Sequence, residues 1–383
     1  MKLFDVYPLF DITPVKGEDC HVWDSNGKKY LDFYGGHAVI SIGHSHPHYV
    51  EMISEQLSKI GFYSNSVQNP LQYELAEKLG DISGYKDYRL FLCNSGAEAN
   101  ENAIKLASFV TGRKKFISFS KGFHGRTSAA VALTDNKKIV APVNETDNAV
   151  ILPFNDIQAV EEALKNEDVA AIIVEGIQGI GGINIPQESF IAELEKLTKK
   201  YGSLLIMDEI QSGYGRSGKF FAHHYFDVQP DLITVAKGMG NGFPIGGVLI
   251  KSDIKPWAGM LGTTFGGNHL ACAAGIAVLD VMKEENLVQN AESVGNYILK
   301  NLAEISSDTQ IRGKGLMIGI EINFPVNELR RKLLFEYGIF TGVSGKHIIR
   351  LLPPLSLKIT EADIFLKAFI EAFVNVSASL TDN

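Results

Sequence analysis

The chain has 383 residues, of which 45% are hydrophobic and 21% are charged, as is usual for globular enzymes. This length is enough for two domains or for one large domain with an appendage. The formal net charge of −8 argues against nucleic acid or an anionic membrane as a general partner. No apolar run in the sequence approaches the roughly 18 residues that a membrane-spanning helix needs.

The N-terminus and the cysteines indicate a reducing compartment. Residues 1–8 lack the apolar core of a signal peptide. Cys20, Cys93 and Cys272 form no Cys-x-x-Cys pair, and an odd number of cysteines argues against a disulfide framework. We therefore expect a cytoplasmic protein.

Short strands are expected in residues 1 to about 43, where Asn26-Gly27 lies between two alternating runs and predicts a β-hairpin. His44, His46 and His48 come next. On a strand these imidazoles would share one face and could bind a metal, but Pro47 fits a strand poorly. The favoured alternative is a helix with Pro47 near its first turn, and no metal site is expected.

Small residues follow the first predicted strand of the middle region. Arg89–Cys93 is an apolar run typical of a buried strand, and residues 94–100 lead from it into a helix that continues to about Val110. Backbone N–H groups at such a helix N-terminus can bind a phosphate. An ordinary helix cap is the alternative for the same residues.

Two further predicted strands end in residues that could contact a ligand. Lys115–Phe119 is followed by Phe123 and Arg126; the ring could stack on a flat ligand and the guanidinium could bind a carboxylate. A core phenylalanine and a surface arginine are the alternatives. The strand at 170–175 runs into a glycine-rich stretch, but a dinucleotide-binding motif should open a helix at once, and none is predicted there.

The segment 204–242 gives the strongest indication of a site. One apolar run ends at Asp208, and a second ends just before Lys237. Both runs predict buried parallel strands, and ligands of an open parallel sheet lie beyond the carboxyl ends of its strands. A lysine that loses its charge can attack carbonyls, and an aspartate suits a pyridinium nitrogen, which is the pair that pyridoxal phosphate needs. A solvated lysine and a loop-capping aspartate are the alternatives.

Gly213–Lys219 matches seven positions of a P-loop, but Phe220 replaces the Ser or Thr that would hold magnesium, which argues against a nucleoside-triphosphate site.

Residues 241–250 predict a loop and an antiparallel or edge strand. Helices and strands no longer alternate regularly in the C-terminal part, which indicates a separate α+β domain. The elements expected there are helices at 269–282, 287–302, 325–337 and 360–374, and strands at 316–322 and 347–351.

Five motifs in this order resemble the class III aminotransferases, which have the pyridoxal-phosphate fold type I known from aspartate aminotransferase. Within this class, the stretches Asn94–Lys105 and Phe123–Thr127 look most like the acetylornithine aminotransferases. The motifs are Asn94–Asn100, Phe123–Thr127, Asp208–Gln211, Ala236–Gly238 and Gly262–Asn268.

This resemblance implies an α/β fold with two domains. Residues 44–285 would form a large domain with a mostly parallel central sheet. Residues 1–43 and 286–383 would form a smaller α+β domain.

The resemblance also implies the cofactor site for pyridoxal 5′-phosphate. Lys237 would bond covalently to the cofactor and shuttle a proton, Asp208 would face the ring nitrogen, and Gln211 would lie near the phenolic oxygen. The remaining contacts would be made by Ser95, Gly96 and Ala97 to the phosphate, by Phe123 to the ring and by Thr264 to the phosphate of a neighbouring subunit.

Three residues would bind substrate by the same resemblance. Arg126 would hold the carboxylate of an acylated amino acid, Arg350 the α-carboxylate of glutamate, and Thr263 would lie near the substrate. One position departs from the family pattern, because Ile180 stands where a glutamate usually covers the arginine. Arg350 would then stay unpaired, which would favour a donor with an extra carboxylate such as N-succinylornithine, or another acid such as Glu175 would pair with it.

We therefore expect a homodimeric aminotransferase that moves the δ-amine of an N²-acylornithine, acetylated or succinylated, to 2-oxoglutarate, giving glutamate, in arginine biosynthesis. The alternatives are another class III enzyme that uses ornithine, 4-aminobutyrate or an acylated lysine, a catalytically idle protein of the same fold, and a metal hydrolase built on the histidines.

Overall fold

The computed structural model describes residues 1–305 and 309–381. Within these ranges, no helix combines the length and the apolar character needed to cross a bilayer. The strands are β1 (Pro14–Glu18), β2 (His21–Asp24), β3 (Lys29–Phe33), β4 (Arg89–Cys93), β5 (Lys115–Phe119), β6 (Ala149–Leu152), β7 (Val169–Glu175), β8 (Leu204–Asp208), β9 (Leu232–Val235), β10 (Gly246–Ile250), β11 (Gln310–Lys314), β12 (Met317–Glu321), β13 (Ile339–Ser344) and β14 (Ile348–Leu351). The helices are α1 (Gly35–Ala38), α2 (Pro47–Lys59), α3 (Pro70–Ser83), α4 (Gly96–Thr111), α5 (Ser128–Ala132), α6 (Ile157–Leu164), α7 (Phe190–Tyr201), α8 (His269–Glu284), α9 (Leu287–Leu302), α10 (Asn327–Phe335) and α11 (Ile359–Thr381).

The central sheet has seven strands in the order β4-β10-β9-β8-β7-β5-β6. Its neighbours are parallel except where β10 pairs with β4 and with β9. Strand β7 is buried along its whole length, and helices α4 and α7 both pack against it. Because both faces of the sheet are covered, its strands are continuous apolar runs instead of alternating ones. The predicted mostly parallel sheet is confirmed.

A second seven-stranded sheet joins the two ends of the chain, in the order β1-β2-β3-β13-β14-β12-β11. Its pairs are antiparallel except for the parallel pair of β3 with β13. The predicted hairpin is confirmed, because β2 and β3 pair across a turn in which Gly27 has a φ of 79°, a conformation that glycine adopts readily. This pairing of early and late strands supports our proposal that residues 1–43 and 286–383 form one small domain and residues 44–285 the large one.

The histidine-rich stretch is part of a helix start. Pro47 begins α2, so His44, His46 and His48 do not share the face of a strand. They lie instead against three separate carboxylates, at 2.8 Å from Asp32, 2.9 Å from Glu285 and 3.6 Å from Asp280.

The pattern of apolar residues did not predict several of the observed strands and helices. Strands β6 and β13 were not predicted, since β6 has only four half-buried or exposed residues and β13 contains the breaker Gly342. Helix α6 and strand β11 were also missed. Strand β10 is antiparallel as expected, but the alternative of an edge strand is wrong, because β10 lies between β4 and β9.

The stacking of Phe33 on Phe365 gives a test of the second sheet. The two rings lie 4.3 Å apart at an interplanar angle of 20°, both are fully buried, and they join β3 to α11. We expect Phe365→Ala to lower the free energy of unfolding in denaturant by about 3–5 kcal/mol. The matched control is Ile364→Ala on the same helix, at a side chain that is 55% exposed, which should cost no more than about 0.5 kcal/mol. Equal losses in the two variants would contradict this packing.

Candidate functional site

A cavity of about 400 Å³ opens beyond the carboxyl ends of the central strands. The register of the sheet brings its polar residues together, because Glu175 at the end of β7 pairs with Asp208 at the end of β8. Lys237 follows the end of β9, the next strand in the sheet. Eight of the predicted site residues line the cavity: Ser95, Gly96, Ala97, Phe123, Arg126, Asp208, Gln211 and Lys237.

The Asp208 carboxylate is buried and held by three donors. Its Oδ2 accepts hydrogen bonds of 2.8 Å from Asn100 Nδ2 and 2.8 Å from His124 Nδ1, and its Oδ1 accepts one of 3.1 Å from the backbone N–H of Ile210. Asn100 also donates to the His124 carbonyl at 2.7 Å, which ties α4 to the loop after β5. The carboxylate therefore has one orientation, towards the cavity that it lines.

Lys237 lies in a turn with an uncommon backbone conformation. It begins a short 3₁₀ helix, Lys237–Met239, and its φ is 47°, which costs a non-glycine residue about 1–2 kcal/mol. The turn is fixed from outside, because Ser41 Oγ donates to the Gly238 carbonyl at 2.7 Å and Asn241 Oδ1 accepts from the Ser41 N–H at 2.8 Å. Strain of this kind persists where the surroundings enforce it and often marks a functional residue.

Burial governs the charges inside the cavity. It lowers the pKa of Lys237 to about 8, while the carboxylates of Asp208 and Glu175 act in the opposite direction and Arg350 adds to the lowering. Burial also raises the pKa of Glu175 to about 7; the charge of Asp208 adds to this effect and His124 opposes it. Lys237 is thus available as a neutral amine close to neutral pH, as an amine that attacks a carbonyl must be.

The start of α4 forms one wall of the cavity. Ser95 is the N-cap, and its Oγ accepts a hydrogen bond of 3.2 Å from the Glu98 N–H. The N–H groups of Gly96 and Ala97 belong to the first turn, which has no intrahelical acceptors for them, and both residues face the cavity. Gly96 cannot carry a side chain, because a Cβ would lie 2.8 Å from Ile210 Cγ2. This arrangement can bind a phosphate.

Arg350 lies behind Gln211, on strand β14 of the second sheet. Its Nη1 donates to Gln211 Oε1 at 3.2 Å and its Nε donates to the Val343 carbonyl at 3.1 Å. The Glu175 carboxylate, which the sequence offered as a replacement partner, accepts instead from the N–H groups of Phe123 at 3.0 Å and Gly179 at 2.8 Å. The pair with Glu175 is therefore not observed, and in the described part of the chain Arg350 contacts oxygens of neutral groups instead of a carboxylate.

The remaining predicted site residues lie at the margin or outside the cavity. Arg126 is exposed at the mouth. Thr263 does not line the cavity, but its Oγ1 accepts from Asn94 Nδ2 at 3.3 Å, and Asn94 does line it. Thr264 is exposed and lies outside the cavity of its own chain. The roles assigned to these residues stay predictions.

Sequence reasoning assigned no role to Asn100 and His124, and it considered Glu175 only as a partner of Arg350. Asn100 and His124 orient Asp208, and Glu175 contributes a second acidic group to the cavity. Each of them belongs to a stretch that had been singled out, but only the register of β7 with β8 and the packing of α4 show that they meet.

Comparison with known proteins agrees with this geometry. The family model for class III aminotransferases matches residues 5–373. The chain is similar to an acetylornithine aminotransferase from Archaeoglobus fulgidus, with 43% identity over 94% of this chain and 95% of that protein. It is 40% identical to a LysW-aminoadipate semialdehyde/glutamate semialdehyde transaminase from Sulfolobus acidocaldarius over 92% of each protein. It also matches a solved structure of ornithine aminotransferase from Toxoplasma gondii, in which pyridoxal phosphate has partial occupancy at the active site. The TM-score is 0.91, the identity is 31%, and the match covers 97% of this chain and 92% of that one.

The residues of the cavity fit pyridoxal phosphate. The first turn of α4 offers N–H groups to its phosphate, Asp208 offers a carboxylate to its ring nitrogen, and Lys237 offers an amine to its carbonyl carbon. The fold is the type I fold of pyridoxal-phosphate enzymes.

The lowered pKa of Lys237 predicts how cofactor attachment depends on pH. Protein stripped of cofactor should bond to added pyridoxal phosphate with a rate that rises through about pH 8, because only the neutral amine reacts. The measurement is the extent of labelling at Lys237 after borohydride reduction, read by mass spectrometry at short times. A midpoint near the ordinary lysine pKa of about 10.4 would contradict the assignment. Asp208→Asn should move the midpoint to lower pH, because the Asp208 charge raises the pKa of Lys237. The control variant Glu162→Gln, at an exposed carboxylate on α6, should leave the midpoint unchanged.

Proposed function

Because this chain belongs to the class III aminotransferases and depends on pyridoxal phosphate, we propose that it transfers the δ-amine of an N²-acylornithine to 2-oxoglutarate. The products are the N-acylglutamate semialdehyde and glutamate. The observation that carries the proposal is the placement of two arginines around Lys237. Arg126 lies at the mouth of the cavity and Arg350 lies behind Gln211.

The charges of the substrates fit this placement. Every acylornithine carries its α-carboxylate at the end remote from its reacting amine, and Arg126 can bind that carboxylate bidentately at the mouth. 2-Oxoglutarate carries a second carboxylate next to its reacting carbon, which Arg350 would bind. One site then serves both substrates in turn, as the two half-reactions of a ping-pong cycle require.

Pyridoxal phosphate, when bound, supplies an electron sink for the negative charge that develops on the substrate carbon. Lys237 Nζ would take the proton from that carbon and return it on the other side of the transferred nitrogen, which its pKa of about 8 allows near neutral pH. The Asp208 carboxylate, held by Asn100 and His124, would stabilise a protonated ring nitrogen. The first turn of α4 would hold the phosphate in place.

A second donor class is supported by the relative from Sulfolobus acidocaldarius, whose name gives aminoadipate semialdehyde and glutamate semialdehyde linked to LysW. Each of these semialdehydes carries an aldehyde at the end of its side chain, and the amine that corresponds to it carries its amino group there, as an acylornithine does. The exposed position of Arg126 leaves room for a larger group beyond the mouth. Arginine biosynthesis is the setting that the acetylornithine aminotransferases among the relatives favour, and a cytoplasmic location stays a prediction.

Steady-state kinetics with a donor series tests the proposed reaction. With 2-oxoglutarate as acceptor, we expect kcat/KM for N-acetylornithine or N-succinylornithine to exceed that for ornithine and 4-aminobutyrate by at least about tenfold, or 1.4 kcal/mol of differential transition-state binding. The ratio of the two acylated donors decides the acyl group, and we expect the succinylated donor to be preferred. A higher kcat/KM for ornithine or 4-aminobutyrate than for both acylated donors would contradict the proposal.

We propose further that the protein is a homodimer with shared sites. Thr264 is exposed and does not line the cavity of its own chain. Next to it, Phe265 contacts Phe62, and these two side chains are 59% and 42% exposed. Exposed aromatic contacts of this kind mark interaction surfaces. A second copy would cover them and bring its Thr264 to this chain's phosphate site.

Sedimentation and cofactor titration test this assembly. We expect a dimer, and we expect Thr264→Ala to weaken cofactor affinity by about tenfold or more, since a hydrogen bond to a charged group contributes about 1.5–3 kcal/mol. Thr360→Ala, at an exposed threonine on α11, is the control and should have no effect. A monomer that retains cofactor and activity would count decisively against shared sites.

A further inference from the structure

Arg350 is a buried cation whose partners are neutral. Its side chain is only 3% exposed. In the described part of the chain it donates to two oxygens, the side-chain carbonyl of Gln211 and the backbone carbonyl of Val343. Burial lowers the pKa of Arg350, which reports the cost of keeping an arginine away from water without a carboxylate.

Neither of the two acids considered as partners of this arginine pairs with it. Ile180 stands in place of the first, and the second, Glu175, accepts backbone N–H groups. Ile180 stands beside the cavity with an apolar side chain, and its own carbonyl accepts a hydrogen bond of 2.6 Å from Ser344 Oγ. This bond ties its loop to β13, the strand that also accepts from Arg350. Both oxygens of Glu175 accept backbone N–H groups, so turning Glu175 towards Arg350 would leave those groups without a partner.

The Gln211 amide is held in the orientation that covers Arg350. Its Nε2 donates to the His37 carbonyl at 3.2 Å, while its Oε1 accepts from Arg350. Exchanging the amide oxygen and nitrogen would place a donor against a guanidinium and an oxygen against a carbonyl, so only one orientation satisfies both neighbours. Gly179 provides the space, because a Cβ at this position would overlap the Gln211 side chain.

The turn that supplies the His37 carbonyl is itself rigidly specified. Residues 35–38 have φ values of 54°, 55°, 68° and 63°, so four consecutive residues are left-handed. Two of them, His37 and Ala38, are not glycine, and each costs about 1–2 kcal/mol in this conformation. Such a turn persists only where its surroundings enforce it, and here it aims a carbonyl at Gln211.

We propose that Gln211 is the cover of Arg350 in this protein, and that a neutral amide in place of a carboxylate leaves the arginine open to dicarboxylates at all times. The inference rests on the proposed role of Arg350 in binding the acceptor's carboxylate. An incoming carboxylate replaces a hydrogen bond from the guanidinium to a neutral amide by one between two charged groups, and it displaces no ion pair.

The consequence is inhibition by small diacids. A dicarboxylate of the length of 2-oxoglutarate that lacks the oxo group cannot accept an amine, but it can bind Arg350 as readily as the true acceptor. Such diacids, and 2-oxoglutarate itself in excess, compete with the amine donor for the same cavity. A carboxylate cover would oppose this competition.

Calorimetric titration of the cofactor-loaded protein with glutarate tests the proposal without turnover. Two variants of nearly the same size form the matched pair: Gln211→Glu places a carboxylate against Arg350, and Gln211→Met removes the amide without adding charge. We expect Gln211→Glu to weaken glutarate binding by at least about tenfold, because the ligand must then displace a carboxylate from Arg350. Gln211 is also predicted to lie near the cofactor, so both variants are titrated only after their visible spectra show that the cofactor is bound. We expect Gln211→Met to bind glutarate within about threefold of the wild type, because the incoming carboxylate replaces the hydrogen bond that this variant removes.

A third variant distinguishes a failure of the proposed role of Arg350 from a failure of the proposed role of Gln211. Arg350→Met should abolish glutarate binding; if it does not, the role of Arg350 in the proposed function is wrong and the inference fails with it. If Arg350→Met abolishes binding but the two Gln211 variants change the affinity equally, or Gln211→Glu leaves it unchanged, then Arg350 keeps its role and the amide cover alone is overturned.

Discussion

The alignment of strand ends in the central sheet is the constraint on which the site depends. Parallel pairing of β7, β8 and β9 in register places Glu175 opposite Asp208 and delivers Lys237 from the next strand. Burial then sets the chemistry, because the same desolvation lowers the pKa of Lys237 to about 8 and raises the pKa of Glu175 to about 7. The positions of the strand ends thus explain why the amine of Lys237 can lose its proton, and the carboxyl group of Glu175 can hold one, close to neutral pH.

The second sheet contributes Arg350 to the site from outside the central sheet. Strand β14 carries Arg350 and pairs with β13, which in turn pairs with the N-terminal strand β3. The chain after β3 forms the left-handed turn whose His37 carbonyl holds Gln211. Gln211 itself follows β8 of the central sheet, so one amide side chain joins elements from both sheets. Gln211 thus connects Arg350, which is proposed to bind the substrate's carboxylate, with the strand that carries Asp208, which is proposed to bind the cofactor.

The sequence predicted the parts of the fold that depend on local pattern. Buried parallel strands such as β7 and β8 are continuous apolar runs, and Pro47 marks the start of α2, so both were recognisable. Strand β13 was not, because its sequence is neither a continuous apolar run nor a regular alternation and includes Gly342. Its pairing with β3 and β14 decides its conformation. Arg350 was identified only through resemblance, and its partner was not identified at all. The replacement of a glutamate by Ile180 is visible in the sequence. The contact between Arg350 and Gln211 is not, because it depends on a turn near residue 37 and on the absence of a side chain at Gly179. These residues are far apart in the chain, so no local sequence pattern predicts that they come together.

The central claim is that Lys237 is both the attachment point of the cofactor and the group that moves the proton. The most direct measurement is the turnover of Lys237→Ala with an N²-acylornithine and 2-oxoglutarate, with circular dichroism to show that the fold is retained. Lys219→Ala, at an exposed lysine outside the cavity, serves as the control. The account predicts that Lys237→Ala loses transamination while Lys219→Ala keeps it. Retention of more than about one part in a hundred of the wild-type turnover, a barrier increase of less than about 2.7 kcal/mol, would contradict it.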